Sequence, residues 1–288
     1  MNRSQAFLQL HVAAMLYGLS ALFGQALTVS PVMIVFGRGL FALAVLLPLC
    51  AWAGGGQRLS LAERLKLMLL GAALAVHWLL FFLAIQVGGV AVATLGFATF
   101  PAFTAISERL LFSQPMAGKD WAIIVLASLG LVLIGPADGT GGGALAGLGW
   151  GVLSGATYAG IAIVNKRLHI QAGGPQSSLW QMIGIVLLLL PFASGQWAAV
   201  SPRDWLLLAG LGVLCTGLAY TLFITSLKHV SANVAAVVIA MEPVYAIAGA
   251  WLLFGDHPTV AMLAGGALIL GAVAWAGRRS GAVAAEPA

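Results

Sequence analysis

Glu242 is an acidic residue in the middle of an apolar segment that extends from about residue 231 to residue 254. A charged group inside a bilayer is costly, so we expect its side chain to face a cavity or a partner. Two roles are open for the carboxyl. It could bind a proton or the amine of a substrate, or it could hydrogen-bond backbone that the neighbouring Pro243 leaves without its usual partner.

Two further ionisable residues interrupt apolar segments. Arg38 lies roughly 10 Å inside the second segment, where it could meet a substrate carboxylate, extend outward, or pair with backbone carbonyls or an acid. His77 lies in the middle of the third segment, where its imidazole could relay protons or simply form a buried hydrogen bond. Glu242, Arg38 and His77 are therefore the candidate charge partners of a proton or substrate.

Aromatic residues gather near the middle of the apolar segments, whereas membrane proteins usually concentrate them at the interfaces. Such residues either pack helices together or line an apolar pocket with a few hydroxyl groups, which would suit amino-acid side chains. With Glu242 and His77, the predicted substrate-binding residues are Tyr17, Trp78, Phe81, Phe97, Phe100, Tyr158, Trp180, Tyr220 and Tyr245.

Motifs for other chemistry are missing from the sequence. The chain has no Gly-rich loop followed by Lys-Ser/Thr, so we expect no nucleotide hydrolysis. No His/Cys cluster has metal-ligand spacing, and we predict neither a metal nor another cofactor. Cys50 and Cys215 both lie in apolar segments and are interpreted as inert packing thiols.

The composition requires a membrane environment for these residues. The 288 residues are 61% hydrophobic and 7% charged, and so few charges cannot cover a water-soluble domain. Apolar runs of about 20 residues are long enough to cross the hydrocarbon core. They predict an all-α protein with ten transmembrane helices near 6–28, 32–53, 65–86, 89–111, 121–137, 145–166, 177–194, 204–227, 231–254 and 260–277.

The basic residues predict the orientation of this bundle. With a cytoplasmic N-terminus, only Arg203 of the 13 Lys and Arg residues falls on the outer side, and Arg38 lies within a span. This bias follows the positive-inside rule, so we expect both termini in the cytoplasm. The net charge of +5 is thus explained by topology, and we expect no nucleic-acid partner.

An internal repeat divides the chain. The segment around Phe100-Pro101-Ala102-Phe103 is similar to Glu242-Pro243-Val244-Tyr245 at an offset of 142 residues, and both continue to a Leu-Leu-Phe sequence. Two five-helix halves, 1–138 and 144–279, are predicted, followed by a disordered tail at 280–288. Because five is odd, the second half enters the membrane from the opposite side, as in many secondary transporters. Pro101 and Pro243 then either act as symmetric hinges or form static kinks.

These features resemble the EamA family of the drug/metabolite transporter superfamily. The resemblance rests on the two repeats, on Phe36-Gly37-Arg38-Gly39 early in the second helix, and on the prolines of helices four and nine. Within the superfamily the chain is most similar to YddG-type amino-acid exporters. Many members have Gly-Glu after helices four and nine, where this chain has Ser113-Gln114 and Gly255-Asp256.

The resemblance implies a secondary transporter that exports amino acids, aromatic and other neutral ones among them, and related metabolites by alternating access. Its expected location is a bacterial inner membrane, as a monomer or homodimer. Export of cationic drugs or other small metabolites is the main alternative, because Glu242 could meet an organic cation. A membrane-embedded enzyme or a channel is less favoured, since no nucleophile accompanies Glu242 and His77.

Overall fold

The computed structural model describes residues 3–52, 56–112, 118–134, 143–168, 170, 172–227, 238–239 and 241–283, and this part of the chain is all-helical without strands. Six of its helices are apolar and long enough to cross a membrane, and two shorter ones are also apolar. Many large apolar side chains, such as Leu8, Trp52 and Leu69, lie on the outside of the bundle. Such an exterior fits a lipid environment.

The helices follow one another with short connections. In chain order they are α1 (Arg3–Ala26), α2 (Pro31–Trp52), α3 (Leu61–Phe97), α4 (Phe100–Phe112), α5 (Gly118–Ile134), α6 (Gly143–Arg167), α7 (Gly174–Ala193), a 3₁₀ segment (Ser194–Ala199), α8 (Pro202–Gly210), a π-helical segment (Leu211–Leu218), α9 (Ala219–Leu227), α10 (Glu242–Phe254) and α11 (Val260–Val283).

Helix α3 joins the predicted third span to the first part of the fourth. Gly89 interrupts it with a φ of 80° and a ψ of 171°, and the helix kinks there. A positive φ of this size is readily adopted only by glycine. The predicted turn at Gly88-Gly89 is therefore present, but one residue accomplishes it and no loop separates the two arms.

The predicted fourth and ninth helices are both interrupted immediately before their prolines. Ala98 and Thr99 form a turn, after which α4 begins at Phe100, so Pro101 is its second residue. Met241 forms the corresponding turn before Glu242 and Pro243, the first residues of α10. Proline fits the first turn of a helix because its missing N–H would have no partner there. For predicted helix four, the expected bend within a continuous helix is thus corrected to a break between α3 and α4. For predicted helix nine, the structure describes a turn at Met241 directly before α10. Most of the first part of predicted helix nine lies outside the described residues.

The two halves of the sequence are intertwined. Helix α1, from the first half, packs against α9 and α10, whereas α6, from the second half, packs against α3 and α4. Helix α2 packs against α7 and the π-helical segment, and α5 packs against α11. One continuous apolar core, which includes Phe36, Phe82 and Ile185, links most of these helices. Side chains from both halves are thereby brought around a common interior.

Helices α3 and α7 approach each other at two glycines. A Cβ atom added to Gly71 would collide with the Gln181 carbonyl, and one added to Gly184 would collide with the Met68 carbonyl. Both obstacles are backbone atoms, which cannot move aside as the end of a flexible side chain can. These two positions therefore fix the separation of α3 and α7, on which the position of His77 and Trp78 depends.

Gly184→Ala should reduce the free energy of unfolding by about 1–3 kcal/mol, because overpacking forces the two backbones apart. The matched control is Gly149→Ala, since Gly149 is exposed on α6 with open space around it. That change should be neutral or stabilise by about 0.4–1 kcal/mol. Apparent melting temperatures of the purified proteins in detergent measure both. Equal melting temperatures for the two variants would contradict the tight contact.

Candidate functional site

A cavity of about 90 Å³ lies inside the bundle. One buried water needs roughly 10–15 Å³ on this scale, so the cavity has room for a small solute or several waters. Its walls come from α1, α2, α3, α6, the π-helical segment, α9, α10 and the turn of helix before α10. The lining residues are Tyr17, Ser20, Arg38, Leu74, His77, Trp78, Phe81, Phe97, Tyr158, Cys215, Thr216, Tyr220, Ile239 and Glu242.

Arg38 forms one side of the cavity and is only 3% exposed. Its guanidinium carbon lies 3.7 Å from the centroid of the Trp78 ring and 5.4 Å from that of Phe82. Its Nε donates a hydrogen bond of 3.1 Å to Thr216 Oγ1. The first contact is a cation–π interaction, and the second fixes the rotation of the guanidinium in its plane.

Glu242 lies elsewhere on the wall of the cavity, at the start of α10, and is 8% exposed. A carboxylate in the first turn of a helix is favoured by the positive end of the helix dipole. Among the described residues its carboxyl group forms no hydrogen bond, so the bond to backbone freed by Pro243 is not observed there. Glu242 also lines the cavity.

The two charges of the cavity do not neutralise each other by direct contact. Arg38 and Glu242 are close enough to interact electrostatically, yet in the part of the chain that the structure describes no ion pair within 4.0 Å joins them. Buried charges are normally paired. The cavity wall therefore carries a guanidinium and a carboxyl group that do not contact each other directly.

His77 connects α3 to α6 next to the cavity. Its Nδ1 lies 2.9 Å from the Ser154 carbonyl oxygen and 2.8 Å from Ser154 Oγ, and that hydroxyl donates to the His77 carbonyl at 3.2 Å. Because a carbonyl only accepts, Nδ1 must carry the proton, which leaves Nε2 as an acceptor in the neutral ring. This arrangement matches the buried hydrogen bond considered above and also orients a lining ring.

An aromatic cluster covers the apolar part of the wall. The ring of Phe97 has its centroid 5.3 Å from that of His77, 5.8 Å from that of Phe81 and 5.4 Å from that of Tyr158. Phe100 stacks on Phe97 at 5.4 Å and meets Tyr158 edge-on. Such tilted and edge-on pairs are favourable arrangements of aromatic rings, so the cluster is a rigid surface for an apolar or aromatic group.

Three residues predicted at the site lie outside the cavity lining. Phe100 packs behind Phe97. Trp180 lies near the start of α7, where the Arg64 guanidinium is 5.1 Å from its ring. Tyr245 faces α1, and its hydroxyl lies 3.4 Å from His11 Nδ1. All remaining predicted residues line the cavity: Tyr17, Arg38, His77, Trp78, Phe81, Phe97, Tyr158, Tyr220 and Glu242.

The sequence pattern did not single out Ser20, Leu74, Thr216 or Ile239, which also line the cavity. Cys215, interpreted above as a packing thiol, lines it too. Cys215 and Thr216 belong to the π-helical segment, and π-bulges within α-helices are frequent at functional sites. Their orientation follows from that local widening, which a regular 3.6-residue period does not predict. Within the described residues, no group of three His, Cys, Asp or Glu side chains could hold a metal ion.

Membrane-length apolar helices around an interior cavity define a multi-pass membrane protein. The model of the EamA-like transporter family matches residues 5–135 and 145–278. The chain belongs to the EamA-like transporter family, in the drug/metabolite transporter superfamily.

Individual relatives agree with this assignment. Over 95% of this chain and 89% of that protein, the sequence is 24% identical to YxxF of Bacillus subtilis, described as an uncharacterized transporter. An uncharacterized transporter of Archaeoglobus fulgidus is 30% identical over 45% of this chain and 47% of its own. A solved crystal structure has the same fold, with a TM-score of 0.64 and 18% identity over 97% of this chain and 99% of that one. These relatives support transport, whereas the YddG-type subclass remains a prediction.

Proposed function

We propose that this protein is a secondary transporter that exports amino acids, aromatic and other neutral ones among them, and related metabolites by alternating access. In this proposal ten transmembrane helices form two inverted five-helix repeats in a bacterial inner membrane, with both termini in the cytoplasm. The substrate binds in the cavity between Arg38 and Glu242.

The observation that carries the proposal is the combination of separated charges and aromatic rings in one cavity. An amino acid at neutral pH has a carboxylate and an ammonium group, which are complementary to Arg38 and Glu242. Its side chain then reaches the cluster of Phe81, Phe97 and Tyr158, which offers an apolar surface with one hydroxyl. Binding sites for small molecules typically combine an apolar lining with a few such polar groups.

The interrupted helices support alternating access. The starts of α4 and α10 lie at or next to the cavity, because Phe100 packs behind its wall and Glu242 lines it. Transporters often place discontinuous helices at their substrate sites, where a break allows one helix segment to move relative to the other. In this proposal Pro101 and Pro243 mark the hinges, and each hinge lies at the turn that precedes the proline.

Hydrogen bonds join the two halves at one end of the bundle. Gln25 Nε2 donates to Asp256 Oδ2 at 2.5 Å, and Thr28 Oγ1 donates to Asp204 Oδ2 at 2.7 Å. Arg203 donates to the carbonyl oxygen of Ala26 at 3.1 Å. In the proposed topology this is the outer end, so these bonds must break before a solute leaves the cavity outward.

Export of organic cations is the second candidate function. Glu242 and the aromatic rings of Tyr17 and Tyr158 could hold a cation by charge and cation–π attraction. Arg38 argues against this candidate, because a second cation in the same small cavity repels the first.

Counterflow in proteoliposomes tests the proposal. Vesicles containing the purified protein are preloaded with unlabelled phenylalanine and offered labelled phenylalanine outside. We expect transient accumulation of label in the protein-containing vesicles and none in protein-free vesicles. Accumulation of labelled organic cations, with no counterflow for a broad panel of amino acids, would overturn the amino-acid assignment. Linear, non-saturable flux without accumulation would contradict alternating access.

A further inference from the structure

We propose that Trp78 and Thr216 orient the Arg38 guanidinium so that its two terminal nitrogens form a fork that binds a carboxylate. This fork makes the cavity selective for solutes with a free carboxylate. The proposal rests on the transport function proposed above and specifies one end of the substrate. Trp78 and Thr216 are positioning residues in it, and Arg38 is the residue that touches the solute.

Trp78 determines the plane of the guanidinium. At 3.7 Å from the ring centroid, the Arg38 guanidinium carbon is at stacking distance from the indole face. A guanidinium stacked on a ring has its N–H groups directed outward in its own plane, so the stack leaves all of them free to donate. Phe82, at 5.4 Å, adds a second aromatic neighbour. The indole therefore fixes the orientation of Arg38 without using any of its donors.

Thr216 determines the rotation of the guanidinium within that plane. Its hydroxyl donates to the carbonyl oxygen of Leu211, five residues earlier, at 3.1 Å. With its hydrogen directed there, the hydroxyl oxygen can accept only from the cavity side, and it accepts from Arg38 Nε at 3.1 Å. The widened π-helical turn thus supplies an oriented acceptor for Nε. A carboxylate can bind the two terminal nitrogens and does not need Nε.

Close packing brings this turn to Arg38. A Cβ atom on Gly212 would lie 2.7 Å from the Arg38 carbonyl oxygen and 2.6 Å from the Cβ atom of Phe41. Glycine at position 212 therefore allows the π-helical segment to contact α2 directly. Thr216, one turn further along, is then held beside the Arg38 side chain.

The two terminal nitrogens of Arg38 remain for a ligand. Among the described residues they take part in no hydrogen bond, and the side chain lines the cavity while being 3% exposed. The acid on the cavity wall, Glu242, does not pair with it. A carboxylate can accept one hydrogen bond from each terminal nitrogen in the parallel geometry that Arg favours. Neutral amides offer one weaker acceptor, so they cannot replace a carboxylate at this fork.

The experiment compares phenylalanine with phenylalanine amide, which keeps the ammonium and the ring but has no carboxylate. In counterflow competition, the wild type should prefer phenylalanine by about 10- to 100-fold, as expected for loss of a charge-assisted hydrogen-bonded pair. Arg38→Lys keeps the positive charge but not the fork, and should lose most of that preference. Trp78→Phe and Thr216→Val should each weaken the apparent affinity for phenylalanine about 3- to 10-fold more than the apparent affinity for the amide.

A second Arg–Trp pair supplies the control. The Arg64 guanidinium carbon lies 5.1 Å from the centroid of the Trp180 ring, away from this cavity. Arg64→Lys and Trp180→Phe repeat the same chemical changes, and both should leave the phenylalanine-to-amide ratio unaltered. The proposal is overturned if the wild type transports the amide as well as phenylalanine. It is also overturned if Arg38→Lys weakens the apparent affinity for both solutes equally, since Arg38 would then act only in the structure of the bundle.

Ligand-induced thermal stabilisation separates this proposal from the transport assignment. The purified protein is heated with phenylalanine or phenylacetate and, in parallel, with the corresponding amides. If amino-acid counterflow fails but the carboxylates raise the melting temperature in the wild type and not in Arg38→Lys, the fork stands and the amino-acid assignment falls. If carboxylates and amides give the same shift, the fork is wrong, whatever the counterflow result.

Discussion

Glu242→Gln is expected to reduce counterflow of zwitterionic amino acids at subsaturating concentration by about 10- to 100-fold. The physical reason is the loss of one charge-assisted interaction with the substrate ammonium, which contributes about 1.5–3 kcal/mol. Glutamine is nearly isosteric with glutamate, so the cavity retains its volume. The effect should appear mainly in the apparent affinity, measured as KM for phenylalanine in proteoliposomes.

Glu63→Gln is the matched control for this variant. Glu63 forms a capping box with Ser60 at the start of α3, where its carboxylate accepts from the Ser60 backbone and hydroxyl. Glutamine serves in the same motif, so the fold should be preserved and the KM should change less than about twofold. A Glu242→Gln variant with wild-type KM would remove Glu242 from substrate binding. A variant with low melting temperature and unchanged KM would show that the carboxyl stabilises the bundle instead.

The ionisable residues of the cavity could be predicted because a charge inside a hydrocarbon segment has few acceptable environments. Arg38, His77 and Glu242 stood out in this way, although they belong to three segments separated by long stretches of chain. The all-helical fold followed from composition in the same manner. Neither prediction needs side-chain detail, because each depends on the energetic cost of leaving polar groups in lipid.

The remaining parts of the site depend on local geometry that no average pattern contains. The π-helical turn that orients Thr216 departs from the period on which helical faces are predicted. Trp180 and Trp78 are the same residue type, yet the position of Trp180 near the start of α7 places it beside Arg64. The breaks before Pro101 and Pro243 were expected as bends, because the sequence gives the missing hydrogen bond of a proline but not how the chain accommodates it.

Modification of Cys215 is expected to reduce transport strongly. The chain has two cysteines, and in a Cys50→Ser background Cys215 is the remaining thiol. It lines the cavity next to Arg38 and Thr216 and is 0% exposed in this structure, so a reagent can reach it only when transport opens the cavity. A sulfonatoethyl methanethiosulfonate reagent would add a bulky anion to a cavity of about 90 Å³. Counterflow should then fall by about tenfold or more, because the added group occupies the substrate volume that transport requires. Reduction with dithiothreitol should restore it.

Protection and charge selectivity decide whether the modification reports on the substrate site. Phenylalanine should slow inactivation, because it occupies the same space. The anionic reagent should react at least about threefold faster than its trimethylammonium analogue, since Arg38 attracts it at short range. A variant in which both Cys50 and Cys215 are serine should be insensitive to either reagent. Inactivation that phenylalanine does not slow, at equal rates for both reagents, would place the reactive thiol outside the substrate pathway. That result would contradict the proposal that the substrate binds in the cavity between Arg38 and Glu242.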